Sequence, residues 1–376
     1  MSVYESLGAS RVINASGRMT ALGGALLSPE AVAAMGEAAT GYVDLVDLKR
    51  RAGRRIAELF RVPDAVLTTG AAAGIVTMVA AVVAGTDPRR VELLPNADWE
   101  PRGILLQAGH QVDFGGSVLQ MIRMGGGVPH PVGAVNLVTT AAMRAALGGQ
   151  GIAAVLFVQS HHAVQKGMLS LPEVIDLAHE AGVAVLVDAA AEEDGARYVG
   201  MGADLVAYSG GKAFEGPTSG FIVGRAELVA ACRAQEAGVA RPMKVGKETI
   251  AGLVRSLEQY VARNDVDLRR RWDDQVSALR QGLSDLPELV LDVQPDEAGR
   301  AISRLAVRLA GGTQLTLADL VSELRSGEPR IEVRAHHLKE GFVQIDPRPL
   351  GPGDAECIVE RIRAIVESRR SAQARH

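Results

Sequence analysis

Three short stretches of this sequence carry residue types that could act on a common molecule. The first is "YSGGKAFEGPTSG", residues 208–220, where Lys212 is the one long cation among glycines and small residues. A lysine becomes a nucleophile when its surroundings depress its basicity or when it is held as an imine, and small neighbours let a flat ligand reach the backbone. The second is Asp188, at the end of the apolar run "VAVLVD". A carboxylate at the end of a buried strand must be paired or hydrogen-bonded, since burying it bare would force protonation. The third is "LTTGAAAGI", residues 67–75, in which Gly70 opens a helix of small residues whose free N–H groups suit a phosphate. Each stretch alone has a plainer reading. Lys212 could be a solvated loop charge, Asp188 a helix cap or a magnesium ligand, and Gly70 a tight turn before a buried helix. Taken together, they describe a receptor for a phosphorylated pyridine aldehyde: phosphate at residues 70–73, ring nitrogen on Asp188 and aldehyde carbon on Lys212.

The elements that must position these residues follow from periodicity. "DLKRRAGRRIAELF" places Leu48, Ala52, Ile56, Leu59 and Phe60 at helical spacing. "RVELLP" at 90, "IAAVLFV" at 152, "GVAVLVD" at 182, "ADLVAYS" at 203 and "SGFIVG" at 219 are short apolar runs bounded by turns, as strands covered on both faces are. The helix after Ser170, with Glu173 three residues on, carries a capping-box signal. Strands alternating with helices predict a mostly parallel α/β sheet, and such sheets place ligands at the carboxyl ends of their strands. Residues 247–283 read as one long or broken helical connector. Beyond it, "ELVLDVQP", "ISRLAVRL", "RIEVRAH" and "GFVQIDP" with two helices predict an α+β second domain. The expected organisation is an N-terminal segment (1–45) contributing to the small domain, a large ligand-binding domain (46–245), a helical connector (246–286) and a C-terminal small domain (287–376).

Composition narrows the function classes. The chain has 376 residues, with 40 Lys plus Arg against 44 Asp plus Glu. That balance and the lack of a basic block speak against a nucleic-acid partner. Cys232 and Cys357 have no metal-ligand or CxxC spacing, so no metal site is expected and a reducing, cytoplasmic setting is. The longest apolar run, "IVTMVAAVVAG", is too short to span a bilayer, and no targeting signal precedes it.

The motifs "INASGRMTALGG", "TTGAAAGI", "GHQVDFG", "QSHHAVQKGMLSL", "VDAAAEED", "YSGGKAFEGPTSGFI" and "RPMKVGKETI" resemble fold-type I pyridoxal-phosphate enzymes. They are most similar to the D-glucosaminate-6-phosphate ammonia-lyase group, relatives of bacterial selenocysteine synthase. The resemblance covers most of residues 10–260 and implies pyridoxal 5′-phosphate as cofactor, with Lys212 as the Schiff-base lysine and Asp188 as partner of the ring nitrogen. Gly70, Ser209 and the amides of Ala71, Ala72 and Ala73 would hold the phosphate, and His110 would lie on the ring. His161, from the pair after "VLFVQS", is the candidate general acid or base. Arg18, Lys244, Arg334 and Arg348 are candidate substrate contacts, with Arg241 and Lys247 as further anion contacts. The implied reaction is α,β-elimination of water with ammonia release from a small amino acid or amino sugar acid, in a homodimer or larger homo-oligomer. Racemisation of an amino acid and a selenocysteine synthase-like transfer are the rival chemistries. The segment before His110, "NADWEPRGILLQAG", matches no assignable motif.

Overall fold

The computed structural model describes residues 3–160, 163–296 and 301–373. They fall into two compact units, residues 25–262 and residues 1–24 with 263–376. In chain order the strands are β1 (Val12–Ala15), β2 (Asp64–Thr68), β3 (Gly103–Gln107), β4 (Val128–Val132), β5 (Ile152–Val158), β6 (Ala184–Asp188), β7 (Leu205–Ser209), β8 (Gly220–Gly224), β9 (Leu289–Pro295), β10 (Ser303–Leu309), β11 (Arg330–Val333) and β12 (Val343–Ile345).

The larger unit is built on a seven-stranded sheet of order β2-β8-β7-β6-β5-β3-β4. Neighbours pair in parallel except β8, which runs antiparallel to both β2 and β7. Both faces are covered, as the unbroken apolar runs require. Val185 and Val187 of β6 enter one core with Ile56, Val174 and Leu253 from three helices. Leu186, between them, faces the opposite core with Met78 and Val79 of the helix Ala71–Ala84. The fold is the predicted mostly parallel α/β architecture. The helix Lys247–Ala262 packs within this unit, while Asp265–Leu283 belongs to the smaller one. Arg263 and Asn264 separate them, and Asn264 caps the second helix through the Val266 N–H.

Local structure departs from the sequence pattern in two ways. "RVELLP" is not a strand: Pro88–Leu93 is helical. The Asp87 carboxylate accepts from the Arg89 and Arg90 N–H groups and Pro88 occupies the first turn, a helix-start signal that outweighs the apolar run. Conversely, β2, β3 and β4 escape the pattern. β4, "VPHPV", contains two prolines, which an edge strand tolerates because one side of its ladder is unpaired.

The smaller unit holds a parallel pair, β1 with β11, and an antiparallel sheet β12-β10-β9. Its core joins Ile13, Leu279, Leu305, Leu324, Ile345 and Ile358.

Candidate active site

Pairing register brings the predicted chemistry in the larger unit to one edge of the sheet. Thr68 at the end of β2 and Ser209 at the end of β7 are both opposite Gly220, the first residue of β8. Asp188, the last residue of β6, is opposite Ala207 of β7 and Val158 of β5. The helix Ala71–Ala84 crosses β7 at this end, and a Cβ added to Gly74 would lie 2.9 Å from the Ala207 methyl. Its first turn therefore starts beside Ser209, three residues before Lys212.

That helix start differs from six others in the molecule, although the short helices after Ser117 and Ala196 and the helix after Arg225 also lack a side-chain cap. Ser28, Asp44, Asp87, Thr139, Asn264 and Thr316 each cap a helix through a side chain. Gly70 supplies no such cap, and no acidic residue lies in the first turn. The amides of Ala71, Ala72 and Ala73 therefore lack an intrahelical acceptor, and the positive end of the helix is not offset by a carboxylate. A Cβ on Gly70 would meet nothing within 4 Å, so the space before the helix is open. Behind it the packing is tight. Thr68 Oγ1 donates to Gly70 O at 2.9 Å, and a Cβ on Gly220 would come within 2.7 Å of both that hydroxyl and the Gly70 carbonyl carbon. Thr68 and Gly220 were not among the predicted site residues; the signal for them is their place at strand ends flanking the glycine turn.

Asp188 is only 8% exposed. Burial pushes its carboxyl up to about 6, opposed by a 3.1 Å hydrogen bond from the Ala190 N–H and by the charge of Lys212. Glu192 adds a smaller upward push. A carboxylate so placed favours a cation close to it. Lys212 is half-buried in the turn after β7, and its ammonium makes no ion pair among the described residues. The turn is closed by Glu215 N–H to Lys212 O at 3.2 Å, Gly210 N–H to Ser219 O at 2.8 Å and Ala25 N–H to Gly211 O at 3.0 Å.

His110 has no exposed surface. Its Nδ1 accepts from the Val158 N–H at 3.3 Å, and its ring packs edge-on against Phe157 with centroids 4.6 Å apart. Burial pushes the imidazole down to about 4, so it is neutral at ordinary pH and carries its proton on Nε2. That Nε2 has no hydrogen-bond partner among the described residues. The expectation was a ring lying on the cofactor; here the ring is buried, with Phe157 edge-on to it and the Val158 N–H on its Nδ1. His161, the candidate acid or base, lies outside the described residues.

A cavity of about 220 Å³ adjoins the helix start, with Thr68, Ala73 and Thr77 on one wall and Lys49, Glu236, Arg241 and Lys244 around it. Lys49 and Glu236 pair at 2.7 Å. Arg241 and Lys244 are exposed at its rim, whereas Lys247 is occupied by Glu248 and the Ala38 carbonyl. Asp188 and Lys212 do not line this cavity.

In the smaller unit, Arg348 holds Asp346 through Nε and Nη2 at 2.9 and 2.8 Å. Arg304, 1% exposed, meets the same carboxylate at 2.8 Å and Asp296 at 2.6 Å. Burial pushes Asp346 upward, but hydrogen bonds and charge from Arg348 and Arg304 outweigh it and hold the carboxyl well below its usual range. Arg348 is thus engaged within the protein. Arg334 Nε donates to Gln344 Oε1 at 3.1 Å. Arg18 is half-buried after the Asn14–Gly17 turn, in which Asn14 Nδ2 donates to Gly17 O at 2.7 Å.

An uncapped helix start, a buried carboxylate and a primary amine at one sheet edge can together bind an anion, hold a cation and bond covalently to a carbonyl carbon. Residues 12–328 match the family model of SelA, L-seryl-tRNA selenium transferase. The chain is 40% identical to a D-glucosaminate-6-phosphate ammonia lyase of Salmonella typhimurium, over 97% of this chain and 98% of that one. It is 41% identical to a 5′-C-glycyluridine monooxygenase-decarboxylase of a Streptomyces species, over 96% of this chain and 92% of the other. A solved D-glucosaminate-6-phosphate ammonia-lyase superposes with a TM-score of 0.92 at 39% identity, covering 98% of this chain and 99% of that one. Serine palmitoyltransferase, solved with its pyridoxal-phosphate cofactor, shares the fold at 13% identity and a TM-score of 0.58, over 96% of this chain and 88% of that one.

Proposed function

Because the chain belongs to the L-seryl-tRNA selenium transferase family, we propose that it is a pyridoxal 5′-phosphate-dependent ammonia-lyase acting on a 2-amino-3-hydroxy acid such as D-glucosaminate 6-phosphate. The product is a 2-oxo-3-deoxy acid. The observation that carries this reading is the convergence of the uncapped helix start, buried Asp188 and Lys212 at one sheet edge. These residues fit the cofactor by the chemistry of their donor set. The amides of Ala71, Ala72 and Ala73, with Ser209, would hold the phosphate at the positive helix end. Asp188 would hold the protonated ring nitrogen, which would offset the burial of its carboxylate further than Lys212 does. Lys212 would bond to the aldehyde carbon. His110, hydrogen-bonded to Val158 opposite Asp188, has a buried Nε2 donor with no partner among the described residues.

When bound, the cofactor supplies an electron sink for the pair left behind as the Cα proton departs. Lys212 would take that Cα proton, and Asp188 would hold the cofactor's ring nitrogen. His161 protonates the departing Cβ hydroxyl, and the freed enamine tautomerises and hydrolyses to the oxo acid and ammonia. Arg18, Arg334 and Arg348 are the arginines proposed for the substrate carboxylate. Arg348 would have to release Asp346 to serve there, and Arg334 its hydrogen bond to Gln344. Arg241 and Lys244, at the rim of a cavity beside the proposed phosphate site, would meet an anionic tail. The enzyme is proposed to act in the cytoplasm as a homodimer or larger homo-oligomer, without a tRNA partner.

The test is release of ammonia and 2-oxo acid in equal amounts from D-glucosaminate 6-phosphate, compared with the unphosphorylated acid. Lys212→Ala should remove both products and the visible absorption band of the bound cofactor. An intact band in wild-type protein with no ammonia from either acid would refute the lyase assignment. The equal similarity to the glycyluridine enzyme supports a second reading, in which the same cofactor residues serve decarboxylation with dioxygen. Dioxygen uptake and carbon dioxide release from 5′-C-glycyluridine, in place of ammonia from the amino sugar acid, would select it.

A further inference from the structure

Aromatic residues are scarce here, with two Trp, five Tyr and six Phe in the chain. Three of the five tyrosines nevertheless donate to one short loop, residues 192–194, which follows Asp188. Tyr198 donates to Glu192 Oε2 at 2.9 Å, Tyr208 to Asp194 O at 2.7 Å, and Tyr260 to Glu193 O. The donors come from three places: the helix Arg197–Gly200, β7 and the helix Lys247–Ala262. The loop itself starts as a tight turn, with Ala190 N–H on Asp188 Oδ1 at 3.1 Å and Glu192 N–H on Ala189 O at 3.0 Å. Its orientation therefore fixes the hydrogen bond that aims the Asp188 carboxylate. Gly195 closes the loop against Phe60, where an added Cβ would lie 2.5 Å from the ring.

Two of those tyrosines also belong to an aromatic cluster. Tyr208 stacks on Phe221 at 5.2 Å and meets Phe214 edge-on at 5.7 Å, while Tyr260 meets Phe214 at 4.7 Å. Phe60 contacts both Phe214 and Phe221. Phe214 is two residues after Lys212 in the same turn and is 1% exposed. One rigid cluster thus touches the turn that carries Lys212 through a ring, and the loop that follows Asp188 through hydroxyl groups. Burial pushes the Tyr208 hydroxyl up, so it remains a donor.

We propose that Tyr208 and Tyr260 are positioning residues: through the cluster they share with Phe214, they fix the Asp188 loop against the Lys212 turn and so set how tightly pyridoxal phosphate is held. The inference rests on the cofactor assignment above. Its test compares wild-type holoenzyme with Tyr208→Phe, Tyr260→Phe and the double variant, which keep the rings and remove only the hydroxyls. Cofactor affinity and release are followed by absorbance, the pH titration of the visible band is recorded, and the thermal midpoint of the cofactor-free protein is measured. Each substitution is expected to weaken cofactor binding about five- to tenfold, the size of one lost neutral hydrogen bond with its carbonyl left unpaired. The double variant should also shift the titration of the band. A lower thermal midpoint with wild-type affinity and wild-type titration would overturn the proposal and reduce the hydroxyls to fold stability; so would no change at all. Asp188→Ala separates the two layers. If that variant loses affinity and the tyrosine variants do not, the positioning role fails alone. If the wild-type protein binds no pyridoxal phosphate, or Asp188→Ala binds it normally, the cofactor assignment fails and takes the positioning role with it. Should Tyr208→Phe not fold, the less buried Tyr260→Phe carries the same comparison.

Discussion

Replacing Asp188 by asparagine should make the cofactor-free protein more stable at neutral pH. The carboxyl titrates at about 6 in the fold against an ordinary value of 3.8, mainly because it is buried. A folded-state pKa above the unfolded one means that the contribution to stability is fully present below about 3.8 and lost as pH rises through about 6. Above that the ionised group disfavours folding, and the gap corresponds to ~3 kcal/mol at 1.36 kcal/mol per pH unit. Asparagine has nearly the same shape, keeps an oxygen for the Ala190 N–H and carries no charge. Asp188→Asn is therefore expected to raise stability at pH 7.5 by up to ~3 kcal/mol, with the gain fading to near zero at pH 4. The assay is urea denaturation of cofactor-free wild-type and variant protein at several pH values across that window. His110, which burial holds at about 4, also titrates there, but it is common to both proteins and cancels in their difference. With pyridoxal phosphate added the order should reverse, since the amide cannot neutralise a protonated ring nitrogen. A variant no more stable than wild type at pH 7.5, or a gain independent of pH, would refute the claim that Asp188 is held ionised at a cost awaiting a cation.

Gly220→Ala should destabilise the protein by ~1–3 kcal/mol through overpacking, because the new methyl would press on Thr68 Oγ1, Gly70 and the Tyr208 carbonyl. Calorimetry measures that loss, and a parallel fall in cofactor affinity is expected because the displaced atoms start the helix that carries the phosphate site. In the smaller unit, Asp346→Ala should cost ~3–5 kcal/mol, since it strips a shared carboxylate from buried Arg304 and Arg348. Urea denaturation checks it, and Asp346→Asn should restore only part of the loss.

The seven-stranded sheet was legible at β5, β6, β7 and β8, which are unbroken apolar runs, but not at β2 or β3, where the apolar stretch is only three residues long. It was not legible at β4, where two prolines mask an edge strand, nor at residues 88–93, where Asp87 and Pro88 start a helix inside an apolar run. Local rules act over a few residues, while membership of a sheet depends on which neighbours arrive. The same division holds for the candidate site. Lys212, Asp188 and Gly70 could be picked out because a cation among glycines, a carboxylate ending an apolar run and a glycine opening an alanine helix are unusual in themselves.

Their meeting at one sheet edge was an inference in the sequence and is a matter of register in the structure: Thr68 and Ser209 opposite Gly220, and Asp188 opposite Ala207. The tyrosine hydroxyls on the loop after Asp188 had no sequence signal, since Tyr198, Tyr208 and Tyr260 lie in three separate elements and look like ordinary core residues. The engagement of Arg348 with Asp346 was equally invisible, because a guanidinium two residues from a carboxylate can face solvent, substrate or that carboxylate. Residue type and spacing determined which chemistry the chain can perform. Only the tertiary structure decided which groups are buried, which are already partnered and which remain for a ligand, because burial and partnership are properties of segments distant in sequence and adjacent in space.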